Sequence, residues 1–343
     1  MMPFYSRRWH GCRIDEFLWR GHRLIVMENQ LLRIGVLASK GADIIEFRYK
    51  PQDLDVLWHA PQPYLPPGEE IPTVSRAQGN FLDYYPGVWQ EVAPNAGPAT
   101  SYENAQLGQH GEVALLPWDF RVIEDSEARI EAEFLVETLR TPFRLSRRMS
   151  LASGSSVLNL EEQMTNLGEQ RLPYQWGHHC VFGPPFLEEG CQLIMPPCDV
   201  VEPEYSRGLQ RRFALNRPGK YPELETVSGA PGRVDLVLPK SARCEDVLLF
   251  NKFAQPRCTL RNPYRQIEIR MKWDGTAFPY VSCWQVYGGA WGYPFYGRTY
   301  NLAIEPFNCP IEPLENLAQR SAVPFLDAGA SAKAQLEIGI GAV

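Results

Sequence analysis

The chain has 343 residues, 44% hydrophobic and 22% charged, enough to bury a large core without disulfides or metal. Its net charge of -6, from 34 Lys and Arg against 40 Asp and Glu, disfavours a polyanion partner. The basic pairs Arg147-Arg148 and Arg211-Arg212 stand isolated, so no nucleic-acid partner is expected.

The N-terminus carries early basic residues but meets charge again at Arg13, Asp15 and Glu16, so it lacks the apolar stretch of a secretory signal. No segment approaches the ~18–20 apolar residues of a membrane span. Eight cysteines, from Cys12 to Cys309, form no C-x-x-C pair, and Cys180, Cys191 and Cys198 lack metal-finger spacing. Reduced thiols in a cytoplasmic protein are expected.

Strand patterns dominate. They recur at Leu31–Val36, Ile44–Tyr49, Arg129–Glu137, Arg144–Ser150, Val157–Met164 and Gln266–Trp273. In the last, Ile267, Ile269 and Met271 alternate with Glu268, Arg270 and Lys272, the period of a sheet with one wet face. Polar breaks such as Lys40-Gly41-Ala42 and Ser153-Gly154-Ser155, with 30 prolines and 27 glycines, predict an all-β sandwich or barrel. Pro51–Pro72 reads as a long surface excursion, and Ile311–Arg320 is the best helix candidate. No two-domain boundary appears. One domain over 1–343, with a core of about 24–340, is predicted.

The chemistry points to Glu305. It follows the apolar Leu302–Ile304 run and precedes Pro306, which predicts a carboxylate at a strand end needing a partner. His110, His178 and His179 each lie beside a glycine or another histidine. A carboxylate with two or more imidazoles suits proton relay between two oxygens of one small molecule. His10, His22 and His59 read as ordinary surface or core residues. His178 and His179 are adjacent, so a strand aims only one of them at a given face. His179 is assigned to the site; His178 stays among the substrate-side candidates but is expected to face away. Cys180 diverges from His179 for the same reason. The glycine-rich aromatic stretch Gly288–Tyr300 reads as a ligand-facing loop, with Trp284 and Tyr296 as sugar-stacking candidates.

These residues resemble the aldose 1-epimerases, or galactose mutarotase-like proteins, from about Leu31 to Glu337. The resemblance rests on Gly41-Ala42 after the first core strand, His110-Gly111-Glu112 before Pro117-Trp118, Asn166 ahead of His179-x-x-Phe182, and Glu305. It implies a β-supersandwich with the sugar site on the concave face of the larger sheet. It implies Glu305 as general base, His179 as general acid, His110 as auxiliary and Asp246 as a substrate-binding position. The family's asparagine–arginine pair is incomplete: Asn95 is present, no arginine follows, and Trp89, Gln90 and Glu91 stand nearby. A changed sugar specificity is expected, with the Trp89–Glu91 segment lining the pocket.

The partner implied is a small sugar. Mutarotation needs no cofactor, and no dinucleotide or phosphate-loop fingerprint appears. Two alternatives stay open at this level. One is a sugar-sensing protein without catalysis. The other is a metal-dependent sugar isomerase or lyase whose ion is held by His110, His179 and Glu305.

Overall fold

The computed structural model describes residues 8, 10–65, 81–204 and 210–343. Most of the N-terminal leader, and residues 66–72 of the expected excursion, lie outside that set. Among the described residues the chain builds a 14-stranded and an 8-stranded antiparallel sheet, with two short two-stranded ribbons. The fold is an all-β sandwich. One helix, Leu314–Gln319, sits inside the segment predicted to be helical. No helix among the described residues is long and apolar enough to cross a membrane.

The smaller sheet follows the alternation rule closely. Strand Phe143–Ala152 buries every second residue, with Phe143, Leu145, Arg147, Met149 and Leu151 pointing inward. The larger sheet is different at its centre. There the order runs through Leu32–Leu37, Asp43–Tyr49, Trp89–Val92, Gly177–Phe182, Tyr300–Phe307, Tyr280–Tyr287 and Cys244–Asn251. Every residue of Gly177–Phe182 and of Trp89–Val92 is buried, because these strands are covered on both faces. One face packs on the smaller sheet; the other carries the candidate site.

The interface between the sheets is not purely apolar. His178, on the inner face, places Nε2 3.0 Å from Glu162 and accepts at Nδ1 from the Trp89 indole at 3.2 Å. Trp176 donates to Glu91 at 2.6 Å, and Arg147 lies 3.4 Å from the same carboxylate. Arg147 also donates to the Ala42 carbonyl and stacks on Trp118, ring centre 5.2 Å away. Glu91, Arg147 and His178 are fully buried and Glu162 nearly so. Burial pushes the Glu91 and Glu162 carboxyls up to about 7 and the His178 imidazole down.

Two expectations about local structure need correction. The described part of Pro51–Pro72 is not a surface excursion: Leu54, Val56, Leu57 and Trp58 are buried, and Trp58 hydrogen-bonds the Val181 carbonyl. Glu305 does not end its strand either. Strand Tyr300–Phe307 runs through Pro306, which pairs with Val281 on one side. On the other side, the ladder to Gly177–Phe182 has no rung between Cys180–Ile304 and Gly177–Phe307. Pro306 has no N–H to offer there. The sheet tolerates the proline by leaving that short stretch untied.

Arg147 neutralises carboxylates contributed by both sheets, so Arg147→Met should cost about 3–5 kcal/mol in urea unfolding. Adding Glu91→Gln should recover part of that loss. A cost below about 1 kcal/mol would show that the sandwich does not depend on this pairing.

Candidate active site

The untied stretch holds the two residues of greatest chemical interest. His179 Nε2 lies 3.4 Å from Glu305 Oε1, and both side chains are buried, at 8% and 3% exposure. At that separation the two atoms face each other without a formed hydrogen bond, as is common before substrate tightens a site. Glu305 Oε1 and His179 Nδ1 therefore have no hydrogen-bond partner within the protein.

Register explains the convergence. His179 faces Gln90 across one strand pair, and Glu305 faces Ser282 across another. Ile44 pairs with Trp89, which sets Asp43 beside Gln90, and Gln90 Nε2 donates to Asp43 Oδ2 at 3.1 Å. Asp43 in turn pairs with Lys40 at 2.5 Å, both fully or almost fully buried. A polar row thus crosses the sheet from Lys40 through Asp43, Gln90, His179 and Glu305 to Ser282.

Aromatic rings stand over this row. Tyr85, His110 and Trp284 lie 5.4, 5.6 and 6.0 Å, centre to centre, from the His179 ring. Trp58 and Phe295 complete the cluster, with Phe295 5.4 Å from Trp284 and 6.3 Å from Tyr85. Phe81 lies tilted against His110, ring centres 4.6 Å apart. Tyr293, on the Gly288–Tyr300 loop, hydrogen-bonds Asp83 and so ties that loop to the segment carrying Phe81 and Tyr85.

His110 sits at φ +56, held by a backbone hydrogen bond to Gly97. Its Nδ1 accepts from the Gly97 N–H at 3.3 Å, so the proton of the neutral ring belongs on Nε2 as a donor. Gly111 follows at φ +76, where an added Cβ would fall 2.2 Å from the Ala93 carbonyl. Only glycine fits there. Glu112, the third residue of that motif, caps the 139–141 turn instead and takes no part in the site.

The electrostatics follow from burial. Glu305 is pushed up to about 8, drawn only partly back by Ser282, whose hydroxyl is near but makes no full hydrogen bond. His179 is pushed down to about 4, and His110 to about 3 by burial and then by His179 beside it. Both imidazoles are neutral near pH 7. The buried pair as a whole holds one proton.

Several substrate-side candidates are placed elsewhere. Asp246 lies on the opposite face of the sheet, paired with Gln285 in register and bonded by Arg212. The residue on the site face is its neighbour Glu245, which accepts from the Trp284 indole at 3.0 Å. Trp89 and His178 also face the interior, so of Trp89–Glu91 only Gln90 reaches the site. Tyr296 is 60% exposed and Phe295 takes the inward place. Asn95 donates to the Gly108 carbonyl at 2.8 Å and braces the loop bearing His110. Lys40, Asp43, Ser282 and Glu245 escaped sequence reasoning. Alternation counted outward from Val247 and Leu249 could have found Glu245.

Three donor atoms of Glu91, Glu162 and His178 lie within 4.8 Å of one another. They do not suit a metal, since both His178 nitrogens are engaged and Arg147 already supplies positive charge. His110, His179 and Glu305 form no such group.

The fold and this arrangement define a β-sandwich protein with a buried carboxylate–imidazole site on one sheet face. The chain belongs to the family described as a domain of unknown function, DUF4432, whose profile matches residues 19–340. No curated protein matches it. Its structure is similar to that of a Klebsiella pneumoniae protein provisionally assigned as an aldose 1-epimerase, with TM-score 0.74 at 16% identity, covering 95% of this chain and 83% of that one. A galactose mutarotase-like protein of Clostridium acetobutylicum aligns with TM-score 0.64 at 13% identity, over 97% and 99% of the two chains. The Slr1438 protein of Synechocystis aligns with TM-score 0.64 at 18% identity, over 99% and 100%. At these identities the likeness establishes the galactose mutarotase-like fold.

In an NMR titration, His110 and His179 should stay neutral down to pH 5, with midpoints near about 3 and about 4. A midpoint near the ordinary 6.5 for either ring would show that water reaches it freely.

Proposed function

We propose that the chain interconverts the anomers of a free aldose by general acid–base catalysis. In the form of the pair with its one proton on His179, the Glu305 carboxylate takes the proton from the anomeric hydroxyl while the His179 imidazolium gives one to the ring oxygen. The C1–O5 bond breaks as the C1–O1 double bond forms, leaving the open-chain aldehyde. Rotation about C1–C2 and reclosure return both protons, so each group serves as acid and base in turn. Nothing is oxidised or reduced, and no covalent bond to the protein forms.

The observation that carries this reading is the buried Glu305–His179 contact at 3.4 Å, under aromatic rings. Two groups pushed in opposite directions by burial share one proton between them, which is what a relay across one small ring requires. Hydroxyls of an entering sugar would hydrogen-bond the carboxylate and favour its charged form. His110, with its proton directed to Nε2, supplies a neutral donor to polarise a sugar oxygen. Tyr85, Trp284 and Phe295 offer apolar surface to the C–H faces of the ring.

Polarimetry across free aldoses and sugar phosphates tests the proposal. The rate should be flat between limbs near about 4 and about 8, falling below the first as the pair gains a second proton. Above the second it falls as the pair loses its only one. Glu305→Gln should reduce turnover by about 10²–10⁴-fold while sugar binding survives. Sugar binding by wild type with no acceleration of any mutarotation would make this a sugar-binding protein instead.

A further inference from the structure

The polar row holds more unmet hydrogen-bonding capacity than acid–base chemistry uses. Gln90 Oε1, Asp43 Oδ1 and the Tyr85 hydroxyl are buried without a partner in the protein. Each such group costs about 1–3 kcal/mol when left unsatisfied. Gln90 and His179 are direct cross-strand neighbours, about 4.8 Å apart, and Asp43 lies about one strand further on. A ring resting over Glu305 and His179 meets Gln90 and then Asp43 where it extends along the row on the side away from Ser282, whose Oγ is also without a partner.

A turn-closing role alone does not account for Lys40 and Asp43. The backbone already closes that turn, with Lys40 N–H bonded to Leu37 and Asp43 N–H bonded to Lys40. Burying the two charges adds a desolvation cost that a turn does not need. Gln90 Nε2 donates to Asp43 Oδ2, which orients the amide and leaves its oxygen as an acceptor.

We infer that Lys40, Asp43 and Gln90 form the specificity end of the sugar site, an inference that rests on the acid–base reading above. Gln90 Oε1 and the Asp43 carboxylate accept hydrogen bonds from sugar hydroxyls remote from the anomeric carbon. Lys40 is a positioning residue that keeps Asp43 charged and in place. This end of the row presents acceptors. The ligand must bring donors. Among the described residues, Lys40 is already matched by Asp43, and Glu305 and Glu245 add acid to the same face. An uncharged, hydroxylated end fits here and a phosphate does not.

The test compares wild type, Gln90→Leu, Asp43→Asn and Lys40→Met. Each is measured on free aldoses, their monodeoxy forms and their 6-phosphates, by polarimetry and by tryptophan fluorescence for binding. Wild type should lose at least about tenfold in kcat/KM when one particular hydroxyl is removed from the best sugar. In Gln90→Leu that penalty should shrink to within about threefold, with KM rising more than kcat falls. The 6-phosphate should bind at least about tenfold more weakly than the free sugar. Gln90→Leu carries the decision, since the other two variants disturb a buried ion pair and need a folding check. A wild-type-sized penalty in folded Gln90→Leu, or equal binding of the phosphate, overturns the inference while leaving acid–base catalysis intact. Binding without turnover removes the acid–base reading alone, and the same deoxy penalties are then read from Kd.

Discussion

The register of the Gly177–Phe182 strand governs everything else in the molecule. Its residues alternate between two covered faces, so His178 and His179 have opposite fates separated by one Cα. His178 is held inside by Trp89 and Glu162, whose partners Glu91 and Arg147 join the two sheets. Gly177 closes the other end, because a Cβ there would fall 2.3 Å from the Phe307 ring. A slip by one residue would either put Gly177 in the place of His178, leaving Glu91, Glu162 and Arg147 without an imidazole, or put Cys180 against Glu305. The interior network thus aims His179 outward without touching the site.

Pro306 contributes to the same outcome from the neighbouring strand. A proline in the middle of a sheet ordinarily removes a ladder bond for no return. Here the missing rungs coincide with the side chains that face each other at 3.4 Å. The backbone beside the pair lacks two ladder rungs, while the side chains remain desolvated. Desolvation shifts the carboxyl up and the imidazole down, so the pair sits neutral where two ordinary groups in water would be ionised. On the proposed reading, proton exchange with a neutral sugar would then create little charge that the site must hold.

The sequence was most legible where one face of a strand is wet. Arg129–Glu137 was delimited to the residue, and Arg144–Ser150 and Val157–Met164 fell within their strands, because alternation marks a half-exposed sheet. Trp89–Val92 and Gly177–Phe182 carry no such signal, being buried on both sides. Errors in the larger sheet are errors of parity, Asp246 for Glu245 and Trp89 beside Gln90, while Tyr296 for Phe295 is an error within a turn. Composition around Glu305, His110 and His179 was informative because charge and imidazole among apolar residues demand a partner. Lys40 and Asp43 were hidden for the opposite reason. In KGAD they look like an ordinary polar turn, and only the tertiary cover over that turn makes them costly.

The division of the row has a consequence for how such a fold changes its ligand. Glu305 and His179 lie on the two central strands, braced behind by the inter-sheet network and above by aromatic rings. Gln90 and Asp43 lie one and two strands away, toward the sheet's N-terminal side, on a short strand and beside a turn. On the proposed reading, substitution at those positions would alter which hydroxyls are met without moving the acid–base pair, since neither residue shares a hydrogen bond with Glu305 or His179. Chemistry at the centre and selectivity at its flank can therefore vary independently. That separation is compatible with a shared sandwich persisting at 13–18% identity between this chain and the compared structures.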